Sequence, residues 1–142
     1  MKKSNLLLVV AVAALVLMAA DPFSGTTNSI SLDEARLQSQ KTGKPVLIDF
    51  YTTWCPPCKQ FDKAAKNDPQ VQEMLEKVIL VKVDSEKGDG VKLAKAYWVD
   101  RYPTYIMMRG DGNVQDQWTG YRKDYFLQKL NSVLEDIRNN EN

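Results

Sequence analysis

Val46-Leu47-Ile48-Asp49-Phe50-Tyr51 is aliphatic or aromatic at every position except Asp49. A run this short, apolar on odd and even positions alike, is the pattern of a strand covered on both faces. Such a strand sits inside a sheet and requires helices on either side, which narrows the fold more than any other feature of the chain. Only residues 52–54 separate it from Cys55-Pro56-Pro57-Cys58, after which Phe61, Ala64 and Ala65 recur at helical spacing. The only two cysteines therefore lie at a strand-to-helix junction.

The remaining elements follow from local signals. Ser31-Leu32-Asp33-Glu34 reads as a capping box that opens a helix ending near Gly43. The helix after the cysteines stops around Asn67-Asp68-Pro69, and a second piece runs from Gln70 to Lys77. Val78 to Val83 is a second central strand, Asp84 to Gly90 a polar loop, and Val91 to Tyr97 a helix with Leu93, Ala94 and Tyr97 inward. Thr104 to Met108 and Val114 to Trp118 form a hairpin through Gly110-Asp111-Gly112-Asn113. The last helix, Lys123 to Arg138, aligns Phe126, Leu127, Leu130, Val133, Leu134 and Ile137 on one stripe. The order α-β-α-α-β-α-β-β-α implies an α/β domain with a mixed sheet and helices on both faces.

The N-terminal residues have a different character. Lys2-Lys3 precede fifteen uninterrupted apolar residues, Leu6 to Ala20, which Asp21-Pro22 ends. That is the layout of an export signal, and the run is short of the ~20 residues of a spanning helix. A cleaved signal peptide is the favoured reading of residues 1–20, with an uncleaved membrane anchor as the alternative. Residues 21–30 read as a tether, 31–138 as one domain and 139–142 as a tail. Removing residues 1–20 takes two lysines from 19 basic residues and none of the 18 acidic ones, leaving a net charge of −1. Without a basic block, nothing recommends nucleic acid as a partner.

The cysteine spacing admits four chemistries. A closed zinc site needs four ligands, and the chain has no histidine and no third cysteine. Covalent c-type haem needs a histidine where Lys59 stands. A structural disulfide stays open, although so short a loop restricts the unfolded chain little. A redox-active pair fits best. Pro56 and Pro57 suit a first helical turn, where a missing N–H costs least. The Cys58 amide is then free to face the Cys55 sulfur and, with the positive helix start, favours its thiolate. Cys55 is expected as the exposed attacking sulfur, and Cys58, one turn in and more covered, as the resolving thiol.

Asp49-Phe50-Tyr51-Thr52-Thr53-Trp54-Cys55-Pro56-Pro57-Cys58-Lys59 resembles the active-site segment of thioredoxins. The likeness continues through Lys82-Val83-Asp84, Tyr102-Pro103-Thr104 and Gly120, and covers residues 31–138. Gly43-Lys44-Pro45, Cys58-Lys59-Gln60-Phe61-Asp62 and Asn67-Asp68-Pro69-Gln70-Val71-Gln72 are similar to exported members such as the C-terminal domain of the thiol:disulfide interchange protein DsbD. The resemblance implies a thioredoxin fold and a role for several residues. Asp49 matches the buried acid that assists proton transfer at the resolving cysteine, with a carboxyl pKa raised by burial. Asp62 matches an acidic position of the DsbD-like subgroup, where glutamate is usual; a solvated helix residue is the alternative. Lys82 matches the lysine that pairs with the buried acid, against an outward, solubilising lysine. Pro103 matches the family's cis-proline, whose turn sets the Tyr102 backbone to bond an incoming peptide like an added strand. Trp54 is a contact surface beside Cys55, whereas Trp98, Trp118 and Tyr121 are expected to pack.

The resulting expectation is an extracytoplasmic thiol:disulfide oxidoreductase, periplasmic or secreted, which reduces partner disulfides through a Cys55/Cys58 cycle and serves cell redox homeostasis. Its partners are the thiols and disulfides of exported proteins and an upstream membrane or thioredoxin-like electron donor. It is expected to be a monomer with no cofactor and no metal. A dithiol oxidase of exported proteins, and a peptide-binding or chaperone module on the same fold, are the alternatives.

Overall fold

The computed structural model describes residues 30–140. The segment 1–20 expected to direct export, the expected tether as far as residue 29 and residues 141–142 of the expected tail lie outside the described residues. Helix α1 (Leu32–Thr42) begins where Ser31 Oγ accepts the Glu34 amide at 3.2 Å. It closes on Gly43, whose φ of 73° suits glycine and lets its amide donate to the Ser39 carbonyl. Strand β1 (Val46–Tyr51) leads to α2 (Pro56–Asn67) and α3 (Pro69–Leu75). Asp68 separates the two helices: its amide closes α2 on the Ala64 carbonyl, and its carboxylate accepts the Gln70 and Val71 amides at the start of α3.

Strand β2 (Ile79–Asp84) and α4 (Asp89–Ala96) follow, each displaced by one or two residues from the sequence expectation. Asp84, assigned to a loop from its polarity, is the last β2 residue and pairs with Tyr51. Helix α4 starts at Asp89, and its Gly90 lies so close to the Asp84 carbonyl that a Cβ would come within 2.0 Å of the oxygen. Strands β3 (Thr104–Met108) and β4 (Val114–Thr119) and helix α5 (Lys123–Asn139) complete the described chain. The β3–β4 turn is fixed by Gly112, at φ 92°, whose amide donates to the Arg109 carbonyl.

The sheet order is β2-β1-β3-β4, with β1 parallel to β2 and antiparallel to β3. Strand alternation divides β1 between two cores. Leu47 joins Phe61, Tyr105, Met107, Trp118, Phe126 and Leu130 on the face under α2, α3 and α5. Val46, Ile48 and Phe50 join Ala35, Val81, Ile106 and Met108 on the face under α1 and α4. Asp49 follows Leu47 in the alternation and points under α2. Burying Leu47 or Phe61 contributes about 1.5–3 kcal/mol each, so the site helix is held by the core beneath it.

Trp98 corrects a sequence expectation. It was expected to pack, yet it is 88 % exposed. The Trp98 amide donates to the Lys95 carbonyl and that of Val99 reaches back to Ala94 at 2.8 Å, with Trp98 at φ 55°. Trp98 therefore holds the left-handed position that closes α4, which turns its side chain outward while Val99 goes in. That conformation is strained for an L-residue. Trp98→Gly is expected to stabilise the protein by about 0.5–1 kcal/mol, net of the extra freedom glycine gives the unfolded chain. Urea unfolding checks this; a destabilised variant would show that the indole contributes packing after all.

Candidate functional site

The end of β1 and the start of α2 converge on the cysteines. Cys55 is the N-cap of α2, with Pro56 and Pro57 in its first turn, and its Sγ accepts the Cys58 amide at 3.3 Å. The two residues form a disulfide, with their Cα atoms 5.3 Å apart. Two prolines at this point cost no helix hydrogen bond and leave the Cys58 amide as the first available donor. An amide and a helix start facing one sulfur favour its anionic form. The expected difference in exposure is absent: Cys55 and Cys58 are each 2 % exposed. In the disulfide each sulfur covers the other, so the contrast expected between two free thiols does not arise.

Six residues before Cys55, on β1, lies a buried charge. Asp49 is fully buried. Lys82 stands opposite it in the β1–β2 register, with Nζ 3.1 Å from Asp49 Oδ2. The same ammonium pairs with Asp62 on α2 and lies 4.7 Å from the Tyr51 ring centroid. Lys82 is thus not an outward strand residue; it ties β1, β2 and α2 together. Burial pushes the Asp49 carboxyl from its ordinary 3.8 up to about 6, and the charge and hydrogen bond of Lys82 only partly oppose it. For Lys82, burial works against the ammonium, but the two carboxylates outweigh it and hold its pKa above the usual value. The result is a carboxyl poised near neutrality beside a fixed cation, an arrangement able to hold or release a proton.

The rest of the predicted set lies around the cysteines. Trp54 is 62 % exposed, and its ring meets Tyr102 edge-on at 6.2 Å. The Tyr102–Pro103 peptide bond is cis, Pro103 is buried, and its carbonyl accepts the Gly120 amide at 2.8 Å. Trp118 is buried, and Tyr121 packs against Phe61 and Phe126. Two residues were not singled out from the sequence. Glu86, inside a polar loop, accepts the Trp54 indole N–H at 3.0 Å and so fixes the aromatic wall of the site. Tyr105 stands opposite Asp49 in the β1–β3 register and opposite Trp118 in β3–β4, extending a row Lys82–Asp49–Tyr105–Trp118 across the sheet. Glu86 gave no signal beyond loop polarity, whereas Tyr105 was legible only once the strand register was known. Among the described residues no helix is long and apolar enough to cross a membrane.

The sequence profile of the thioredoxin-like family matches residues 27–110. The thiol:disulfide interchange protein DsbD of Salmonella typhi is 34 % identical over 97 residues, which is 67 % of this chain and 17 % of that protein. The chain thus spans about a sixth of the length of this relative. A putative disulphide-isomerase from Bacteroides thetaiotaomicron superposes with a TM-score of 0.64 at 31 % identity, covering 75 % of this chain and 89 % of the other. The oxidised C-terminal domain of Neisseria meningitidis DsbD superposes with a TM-score of 0.59 at 25 % identity, covering 70 % and 90 %.

Proposed function

The chain belongs to the thioredoxin-like family; on that premise we propose that it is a thiol:disulfide oxidoreductase that acts outside the cytoplasm as a reductase of disulfides in exported proteins. The observation that carries the chemistry is the Cys55–Cys58 pair at the start of α2, with the Cys58 amide on the Cys55 sulfur. The likeness to DsbD supports the reducing direction. The apolar segment Leu6 to Ala20 supports export, with residues 1–20 as signal or anchor, 21–30 as tether and 31–138 as the catalytic unit.

In the reduced protein the Cys55 thiolate attacks one sulfur of a partner disulfide. A Cys55–partner S–S bond forms, and the second partner sulfur leaves as a thiolate and takes a proton. Cys58 then gives up its proton and attacks the Cys55 sulfur. The intramolecular disulfide forms, and the first partner sulfur leaves as a thiol. Two electrons pass from the pair to the partner, and a protein dithiol, membrane-bound or thioredoxin-like, restores them. Asp49 takes the Cys58 proton, and Lys82 and Asp62 set how readily it does so. Trp54 and the Tyr102–Pro103 turn hold the partner segment, with backbone bonds to Tyr102 like those of an added strand.

Insulin reduction by the full chain with a regenerating dithiol tests the activity, and absence of turnover contradicts it. The equilibrium potential against glutathione tests the direction. A value near that of thioredoxin, ~−270 mV, supports a reductase, and one near that of DsbA, ~−120 mV, makes the protein a dithiol oxidase instead.

A further inference from the structure

Beside the cysteines the surface holds a pocket of about 440 Å³ lined by Pro57, Thr119, Gly120, Tyr121, Arg122 and Tyr125. Pro57 belongs to the disulfide loop, and the Gly120–Pro103 hydrogen bond of 2.8 Å sets the pocket against the Pro103 turn. A partner segment bound to Cys55 therefore meets it. Arg122 is exposed at its rim, with its guanidinium 6.0 Å from the Tyr125 ring centroid. Neighbouring cations on α5 are neutralised: Lys123 pairs with Asp68 and Lys129 with Asp116, each at 2.6 Å. Among the described residues Arg122 has no carboxylate partner. An arginine without a carboxylate partner keeps its planar fork of donors free, a geometry that matches a carboxylate.

We propose that this pocket selects partner proteins carrying an Asp or Glu side chain close in sequence to the cysteine that Cys55 attacks. The inference rests on the reductase reading and names its substrate class. Arg122 binds the acidic side chain while Tyr125 and Pro57 cover its apolar stem. Because the pair forms at an exposed rim, it discriminates moderately and weakens as salt rises.

The test uses two disulfide peptides identical except for Glu or Gln beside the attacked cysteine. The readout is the ratio of their kcat/KM values with the full chain. Wild type is expected to prefer the Glu peptide by about three- to tenfold. Arg122→Ala should bring the ratio to about one, and Arg122→Glu should invert it by charge repulsion. Arg122→Lys, which keeps the charge without the fork, should retain part of the preference. A ratio near one in wild type, or one unchanged in Arg122→Ala, overturns the assignment of the pocket while leaving the reductase reading intact. Absence of turnover of both peptides and of insulin overturns both.

Discussion

Cys55→Ser is expected to lower disulfide-reduction turnover by at least ~1,000-fold, as removal of a nucleophile does in enzymes that work through a covalent intermediate. The loss is chemical rather than structural. Cys55 is the N-cap of α2, and serine is among the best residues for that position, so the Cys58 amide keeps an acceptor. Cys58→Ser should also stop turnover, but at a later point, because it leaves the attacking sulfur and removes the resolving one. The two variants therefore separate by what accumulates: free protein for Cys55→Ser, a mixed disulfide for Cys58→Ser. Circular dichroism of both should match wild type. Turnover by Cys55→Ser within a few-fold of wild type would remove Cys55 from the chemistry.

A second large effect concerns pH. The Asp49 carboxyl titrates near 6 in the folded protein and near 3.8 unfolded. Between these values the folded state holds the proton and the unfolded state does not, so stability falls as pH rises. The contribution is fully present below about 3.8 and lost through about 6, and a shift of that size amounts to about 3 kcal/mol. Asp49→Asn has nothing to titrate there. The stability of wild type minus that of Asp49→Asn should therefore fall by about 2 kcal/mol between pH 4 and pH 7, measured by urea unfolding of the oxidised proteins. Lys82→Met removes the influence that opposes burial and should move the Asp49 midpoint further up. A difference that stays flat across this range would mean that Asp49 is not desolvated as its burial implies.

The order of elements was legible because each carried its own local signal: Ser31 and Gly43 around α1, the apolar run of β1, Asp68-Pro69 between α2 and α3, and Gly112 in the hairpin. Adjacent boundaries moved by one or two residues, as at Asp84, whose pairing with Tyr51 keeps a polar residue in β2. Within the site, the cysteines and Asp49 were legible because two sulfurs at a strand–helix junction and a carboxylate in an apolar strand are unusual locally. Lys82 was ambiguous by itself, since strand alternation gives its face only after pairing fixes the register with Asp49. Trp98 was misplaced because hydrophobicity says nothing of a left-handed backbone. Glu86 and Arg122 come from loops and caps distant in sequence, and only the folded chain sets them beside Trp54 and Pro57.

The central claim is that Cys55 attacks and Cys58 resolves. It is tested most directly by mass spectrometry of covalent adducts on the full chain, comparing Cys58→Ser with Cys55→Ser after exposure to disulfide-bearing proteins. Cys58→Ser should carry partner peptides joined to Cys55 by disulfide bonds, and Cys55→Ser should carry essentially none. Equal adducts on the two variants, or adducts on Cys58 alone, would contradict the account.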